Sequence, residues 1–295
     1  MTLDIMMPFY GDPALFRLAV QSVLNQSDPR WRLVIVDDLY PDRGPGHWVE
    51  SLADSRIEYV RNDVNLGVSG NFEKCADLAR APYATIMGCD DLLLPNYVSR
   101  VHALYDQFPD ADYLQLGVEV MDASGRASRP LADRVKDLYR PRVPEPRTLS
   151  GEFLAASLLR GNWTYFPSIA WKTSRLKQHP FRRDFEVVLD LALQLDIVES
   201  GGVLILDNSP NFRYRRHAAS VSSWMADDGS RFTEEERFFH EYSQRMRARG
   251  WHRAARVASL HLSSRLNAAT RLPSSLKAKD ARGTRTLLKH IGGRA

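Results

Sequence analysis

The segment Tyr83-Ala84-Thr85-Ile86-Met87-Gly88-Cys89-Asp90-Asp91-Leu92-Leu93-Leu94-Pro95 opens as a short apolar run and ends abruptly in two adjacent carboxylates ahead of a proline. A run of this length, bounded by glycine and acids, reads as a buried strand. In an α/β chain the carboxyl end of such a strand is where ligands bind. The same pattern recurs toward the N-terminus. Leu33-Val34-Ile35-Val36 runs into Asp37-Asp38, and Leu3 to Met7 runs into Pro8-Phe9-Tyr10-Gly11. Helical segments from Pro13 to Asn25, near Trp48 to Ala53 and from about Ser69 to Ala79 separate these strands and a further one at Ile57 to Val60. Repeated βαβ units imply a parallel sheet with right-handed crossovers. Its strand ends then open on one side, and their polar residues line one crevice.

Downstream, Pro95 to Phe108 reads as a helix and Tyr113 to Met121 as a longer strand closed by a turn at Asp122-Ala123-Ser124-Gly125. Arg126 to Arg147, rich in proline and charge with little periodicity, reads as a long loop. Order resumes with a helix near Ser150 to Leu159 and a strand around Ser168 to Lys172. Phe185 to Glu199 places Val188, Leu191, Ala192 and Leu195 at helical spacing, with Asp190 interrupting the apolar centre. Gly201-Gly202 stops that helix, and Val203 to Leu206 and Phe212 to His217 read as two strands. From Thr233 the chain is helical and basic. The expected organisation is 1–95 as one half of an α/β domain, 96–232 as its second half, and 233–295 as a helical extension.

Composition bounds the function classes. With 295 residues and 44% hydrophobic side chains the chain can bury a large core. Cys75 and Cys89 are its only cysteines, which excludes a disulfide framework and a thiolate zinc site. The N-terminus enters a strand at once, and no apolar run reaches the roughly 18–20 residues of a membrane span, so the expected location is the cytoplasm. The net charge of +4 hides an asymmetry: Arg245 onward carries +12, and residues 1–244 carry −8. Two readings of this tail stand side by side, a helix that makes peripheral contact with the inner face of a membrane and a solvated extension. Nucleic acid is not an expected partner, because the body is acidic and no nucleic-acid motif is present.

The residues alone leave Asp90-Asp91 as either a metal and diphosphate site or a polar turn ahead of a helix. Asp38 is either a contact to a nucleobase or ribose or a turn residue, and Tyr10 either stacks on a base or packs. Asn65-Leu66-Gly67-Val68-Ser69-Gly70-Asn71 opens a helix whose N–H groups can face a phosphate. It lacks the Gly-Lys-Ser/Thr ending of a Walker loop and the dinucleotide fingerprint, which removes the main support for an ATPase or a dehydrogenase. Arg213, Arg215 and Arg216 read either as neutralisers of a diphosphate or as solvated edge cations. Trp163 and Tyr165 read as sugar-facing aromatics or as core.

Together these elements resemble the inverting glycosyltransferases of family two, which have the GT-A fold. The matching residues are Met6-Met7-Pro8-Phe9-Tyr10, Ser22-Val23-Leu24-Asn25-Gln26, Val34-Ile35-Val36-Asp37-Asp38, Asn65-Leu66-Gly67 with Asn71, and Cys89-Asp90-Asp91 with Pro95. They cover about the first hundred residues. Leu189-Asp190-Leu191-Ala192-Leu193 and Tyr214-Arg215-Arg216-His217 with Ser220 give a weaker match later in the chain. The resemblance implies a Rossmann-like nucleotide-sugar-binding domain with a mostly parallel sheet. Pro8, Tyr10, Asp38, Asn65, Gly67, Asn71 and Asp90 would serve the nucleotide sugar, Asp91 a divalent cation, Mn²⁺ or Mg²⁺, and Asp190 would be the general base; His217, after the last strand, reads as a further metal ligand, a diphosphate contact or a surface histidine. Many members read Asp-x-Asp-Asp at the metal motif, whereas Gly88 stands at the first acid here. Asp184, Glu186 and Asp196 are the rivals of Asp190.

The function so implied is a metal-dependent inverting transferase. It moves one sugar from a nucleotide diphosphate sugar to a hydroxyl of a glycan or lipid-linked acceptor, in cell-surface polysaccharide or glycolipid synthesis. A sugar nucleotidyltransferase and a noncatalytic glycan-binding or nucleotide-sugar-binding subunit are the alternatives.

Overall fold

A computed structural model describes residues 1–142, 146–216, 230–277 and 281–292. The first hundred residues alternate β1 (Leu3–Phe9), α1 (Pro13–Leu24), β2 (Trp31–Asp37), α2 (Gly44–Ser51), β3 (Ile57–Arg61), α3 (Gly67–Leu78) and β4 (Tyr83–Ile86). A short β5 (Leu92–Leu93) and α4 (Tyr97–Gln107) follow, then β6 (Tyr113–Met121), α5 (Leu131–Tyr139), β7 (Arg147–Ser150) and α6 (Gly151–Arg160). The remainder is β8 (Ile169–Lys172), α7 (Thr173–Gln178), α8 (Leu189–Glu199), β9 (Val203–Arg215) and four helices, α9 (Ser230–Ala248), α10 (His252–Leu260), α11 (Leu262–Lys277) and α12 (Ala281–Gly292).

The strands form one sheet in the order β3-β2-β1-β4-β8-β6-β9-β5, with β7 beside β5 on the outer side of β9. Pairs β3-β2, β2-β1, β1-β4 and β6-β9 are parallel, and β8 runs antiparallel between β4 and β6. Side chains alternate between two cores. Met6, Val34, Val36 and Ile86 pack with α3, α6, α8 and α9, while Ile5, Met7, Leu33 and Ile35 pack with α1 and α4. Helices on both faces explain why β2 reads as an unbroken apolar run.

Two expectations are corrected. The stretch Arg126 to Arg147 is no featureless loop, since it contains α5 and leads into β7. What reads as two strands after Gly202 is the single β9, bent where its register against β6 shifts beside Gly117. A Cβ on Gly117 would lie 2.5 Å from the carbonyl oxygens of both Asn208 and Ser209, so only glycine lets the two backbones approach there. The bend lets the first part of β9 pair with β7 and the last with β5. Residue 233 falls inside α9, and Phe238, Phe239, Tyr242, Ala254 and Ala258 of α9 and α10 belong to the main core.

Candidate active site

Strands β2, β1 and β4 are neighbours and parallel, so Asp38, Tyr10 and the Asp90-Asp91 turn emerge at one edge of the sheet. Pro8 marks where this edge opens. Met87 N donates to Met6 O (3.0 Å), and by alternation residue 8 faces the same side. The β1-β4 register ends at Met6 opposite Ile86, so β4 has turned away and the absent proline N–H costs no ladder bond. Tyr10, just past β1, is 55% exposed and meets Tyr40 edge-on with ring centroids 5.6 Å apart.

The acids of β2 part company. Asp37 is fully buried, accepts from Tyr40 N (2.7 Å) and Tyr59 Oη (2.5 Å), and is ion-paired to Arg61; it is a structural anchor. Asp38 is buried and accepts from Leu66 N (2.7 Å), Gly67 N (2.9 Å) and Asn62 Nδ2 (2.8 Å). Two of the N–H groups that open α3, where the sequence suggested a phosphate, thus already hold the protein's own carboxylate. Asn65 braces the turn through Asp38 O (3.0 Å), and Gly67 has φ +70°, a left-handed conformation that favours glycine. Asn71 is also internal, donating to Val36 O (3.0 Å) and accepting from Asn62 Nδ2 (3.1 Å).

The acidic turn is more open to chemistry. Asp91 is 1% exposed and its Oδ1 accepts from Arg215 N (2.8 Å). Burial first, and then the neighbouring charge of Asp90, push the Asp91 carboxyl well above the usual range. Asp90 Oδ1 and Asp91 Oδ2 each lie 2.8 Å from the point where Gly88 would carry a Cβ. Two carboxylate oxygens thus converge on the space this glycine leaves, and a cation there would relieve the mutual repulsion that burial intensifies. Among the described residues no group of three or more His, Cys, Asp or Glu side chains could hold a metal ion. Two carboxylates suffice for a hard divalent cation whose other ligands are substrate phosphate and water. From behind, Gln26 donates to Leu94 O (2.8 Å) and accepts from Val98 N (3.0 Å), while Ser22 Oγ accepts from Leu93 N (3.1 Å). The Ser22 to Gln26 motif therefore clamps the chain that follows the acids.

Asp190 comes to the same edge from another direction. Because β8 is antiparallel to β4, the segment that enters β8 lies at the end where β4 finishes. In that segment Asn162 donates to Asp190 Oδ2 (3.0 Å), while Leu191 N donates to Asp190 Oδ1 (2.8 Å). Behind Asn162 the bonds continue: Thr164 Oγ1 donates to Asn162 Oδ1 (2.8 Å), and Gln194 Nε2 donates to Thr164 Oγ1 (2.9 Å). The helix begins at Leu189, so Asp190 occupies the first turn of α8, not its centre as the periodicity suggested. Its rivals have other surroundings. Asp196 accepts from Tyr242 Oη (2.8 Å) and pairs with Arg245 (2.7 Å), Asp184 pairs with Arg182 (2.7 Å), and Glu186 is exposed ahead of the helix.

The arginines are committed elsewhere. Arg215 is buried and binds Asp90 O (2.8 Å) and Ala123 O (3.1 Å), Arg216 forms a two-pronged pair with Asp133 (2.7 and 3.0 Å), and Arg213 pairs with Glu119 (2.9 Å). Trp163 is fully buried with Nε1 on Ser157 Oγ (3.1 Å), and Tyr165 Oη donates to Asp133 Oδ1 (2.9 Å); both are core residues. His217 and Ser220 lie outside the described residues.

Sequence reasoning missed Asn162, Thr164 and Gln194, which hold Asp190, and Lys136, whose Nζ donates to Thr164 O (2.6 Å) over the Tyr165 ring. Burial lowers the Lys136 amine to about 8, with Arg216 adding to the effect and Asp190 and Asp133 opposing it. The polar residues flanking Trp163 were the only visible signal.

Comparison with known proteins agrees with this architecture. Residues 4–158 match the model of Glycosyl transferase family 2. The putative colanic acid biosynthesis glycosyl transferase WcaA of Escherichia coli K12 is 34% identical over 98 residues, 33% of this chain and 35% of that protein. The putative glycosyltransferase EpsE of Bacillus subtilis 168 is 25% identical over 147 residues, 48% of this chain and 49% of that protein. The chain thus spans less than half the length of these relatives. The crystal structure of S. aureus TarS residues 1–349 in complex with UDP-GlcNAc superposes with a TM-score of 0.63 at 13% identity, covering 100% of this chain and 93% of that one, which shows a shared fold.

Proposed function

The chain belongs to glycosyl transferase family 2, and we propose that it is a metal-dependent inverting transferase that moves one sugar from a nucleotide diphosphate sugar to a hydroxyl of a glycan or lipid-linked acceptor. The observation that carries this reading is the convergence of Asp90 Oδ1 and Asp91 Oδ2 beside Gly88, at the sheet edge where Asn162 and Leu191 N fix the Asp190 carboxylate.

Asp91 and Asp90 would hold the divalent cation, Mn²⁺ or Mg²⁺, together with donor phosphate oxygens. When bound, that ion supplies Lewis-acid neutralisation of the charge growing on the leaving diphosphate. Asp190 takes the proton of the acceptor hydroxyl as its oxygen attacks the anomeric carbon from the face opposite the diphosphate. The new C–O bond forms while the bond to the diphosphate breaks with its electron pair, so the configuration at that carbon inverts. One hydrogen bond to each Asp190 oxygen fixes the plane of the carboxylate and leaves lone pairs for the incoming proton. On the donor side the exposed Tyr10 ring offers a face for the base. Asp38 Oδ2, which accepts a hydrogen bond from Gly67 N, retains acceptor capacity for a base N–H or a ribose hydroxyl.

The TarS structure holds UDP-GlcNAc, so uridine diphosphate sugars are the first donors to assay. Thermal unfolding with a panel of nucleoside diphosphates, with and without Mn²⁺, tests the reading, since a ligand of the native state raises its stability by about 2.7 kcal/mol at 100 times Kd. A metal-dependent shift with one nucleotide that Asp91→Ala abolishes is the expected result. No shift with any of them would overturn the donor site.

A further inference from the structure

Helix α5 is built inside out. Its inward side is polar: Asp133 is buried against Arg216 and Tyr165, Lys136 donates to Thr164 O (2.6 Å), and Arg140 just beyond the helix donates to Asp207 O (3.1 Å). Its outward side carries Leu131, Val135 and Leu138, spaced i, i+4, i+7 and exposed by 68%, 39% and 70%. A surface helix of a water-soluble domain normally presents the opposite arrangement, and an exposed apolar stripe of this kind marks an interaction face. The charge around it identifies the partner. Along the chain, Arg126 and Arg129 before the helix, Arg134 within it and Arg142 and Arg147 after it are exposed, and Asp137 is the exposed acid among the described residues from 126 to 147. A second copy of the chain would bring the same cations against one another. Apolar side chains flanked by arginines match the boundary between lipid phosphates and acyl chains.

We propose that the outward face of α5 seats on an anionic lipid surface. The seat would bring the acceptor side of the crevice to the bilayer, because the inward face of the same helix holds the 162–165 segment against which Asp190 rests. The inference rests on the proposed transfer reaction in one respect, that the acceptor is lipid-linked.

Flotation of the full chain with vesicles tests the seat and needs neither donor nor metal. It is run with phosphatidylcholine alone and with about one-third phosphatidylglycerol, at low and high salt. The chain is expected to float with the anionic vesicles and to be released by salt. Leu131→Ser/Leu138→Ser is expected to lower the partition coefficient about tenfold or more with Tm unchanged, since both side chains are exposed. Leu262→Ser/Leu266→Ser, exposed leucines of α11, is expected to leave binding intact. Failure of the chain to float, unchanged flotation of the α5 variant, or loss in the α11 variant alone would overturn the proposal. So would a dimer that sedimentation shows and the α5 variant dissociates, which would make this face a self-association surface. Sugar transfer is measured separately, so failed flotation leaves the reaction standing, and absent transfer leaves the lipid seat standing.

Discussion

Replacing Gly88 with alanine probes the geometry on which the metal argument depends. A Cβ at this position would lie 2.8 Å from Asp90 Oδ1, 2.8 Å from Asp91 Oδ2 and 3.4 Å from Asp91 Cγ. Asp90 is partly exposed, whereas Asp91 is 1% exposed and its Oδ1 is held by Arg215 N. The methyl must therefore displace a carboxylate that has no room, a case of overpacking that costs about 1–3 kcal/mol. Tm should fall by several degrees, and more Mn²⁺ should be needed for the same stabilisation because the oxygens no longer converge. Gly88→Asp makes the sharper test. The family's usual Asp-x-Asp-Asp pattern suggests that a third acid would improve the site, whereas this geometry predicts further loss. A carboxylate about 4 Å from each of two others adds roughly 4 kcal/mol of repulsion per pair at an effective dielectric of about 20. The assay is thermal unfolding across a Mn²⁺ titration, with turnover measured in parallel. A Gly88→Ala protein with the parent Tm, or a Gly88→Asp protein with the parent Tm and a lower Mn²⁺ requirement, would refute the packing described for the acidic turn.

Further tests follow from the same contacts. Asp190→Asn should lower kcat about 10²–10⁴-fold while the nucleotide-induced thermal shift stays at the parent value; near-normal turnover would remove Asp190 from the role of base. Asn162→Ala leaves Asp190 Oδ2 without its donor, and a fall in kcat of about tenfold to a hundredfold with little change in donor KM is expected from steady-state kinetics. Asp38→Ala strands the Leu66 N–H and leaves Gly67 N with Asn65 Oδ1 alone, so chemical denaturation should show a loss of about 1–3 kcal/mol, with weaker nucleotide binding beside it. The Lys136 amine, lowered to about 8 by burial, is charged in both folded and unfolded chains below that pH. The cost of burying the charge then disappears as pH rises from about 8 toward the ordinary amine range. Lys136→Met should stabilise the protein most below pH 8 and progressively less above it, and a stability difference flat in pH would contradict this.

The βαβ part of the chain was legible because each strand end announces itself. Apolar runs stop at Asp37-Asp38 and at Gly88 to Asp91, and sheet order follows from parallel neighbours with helical crossovers. What pattern reading cannot see is the hydrogen-bond partner. Asp37 and Asp38 look alike in sequence, yet alternation sends one to Arg61 and Tyr59 and the other to the start of α3. Helix α5 escaped because its apolar residues face outward and proline and charge surround it, so it lacks the signature of a helix packed by its apolar side. The unity of β9 was hidden for a different reason. Asn208, Ser209 and Pro210 read as a break, and only the absent side chain of Gly117, nearly a hundred residues earlier, lets the strand continue through the bend.

Arg215 and Arg216 show how closely the two halves of the site are joined. Arg215 ends β9 and Arg216 follows it. Arg215 N holds Asp91, while the Arg216 guanidinium holds Asp133 of α5, which also receives Tyr165 from the segment that supports Asp190. One step along the backbone thus spans the distance between the acid that would bind the cation and the scaffold of the base. The sequence suggested these cations as counter-charge for a departing diphosphate. Both guanidiniums, however, are already satisfied by carbonyl oxygens or a buried carboxylate, and moving either to a phosphate would leave those groups unpaired at a cost of about 1–3 kcal/mol each. In the proposed reaction the diphosphate charge would then fall to an ion held by Asp90 and Asp91, and the arginines would keep that turn and the Asp190 scaffold in fixed relation.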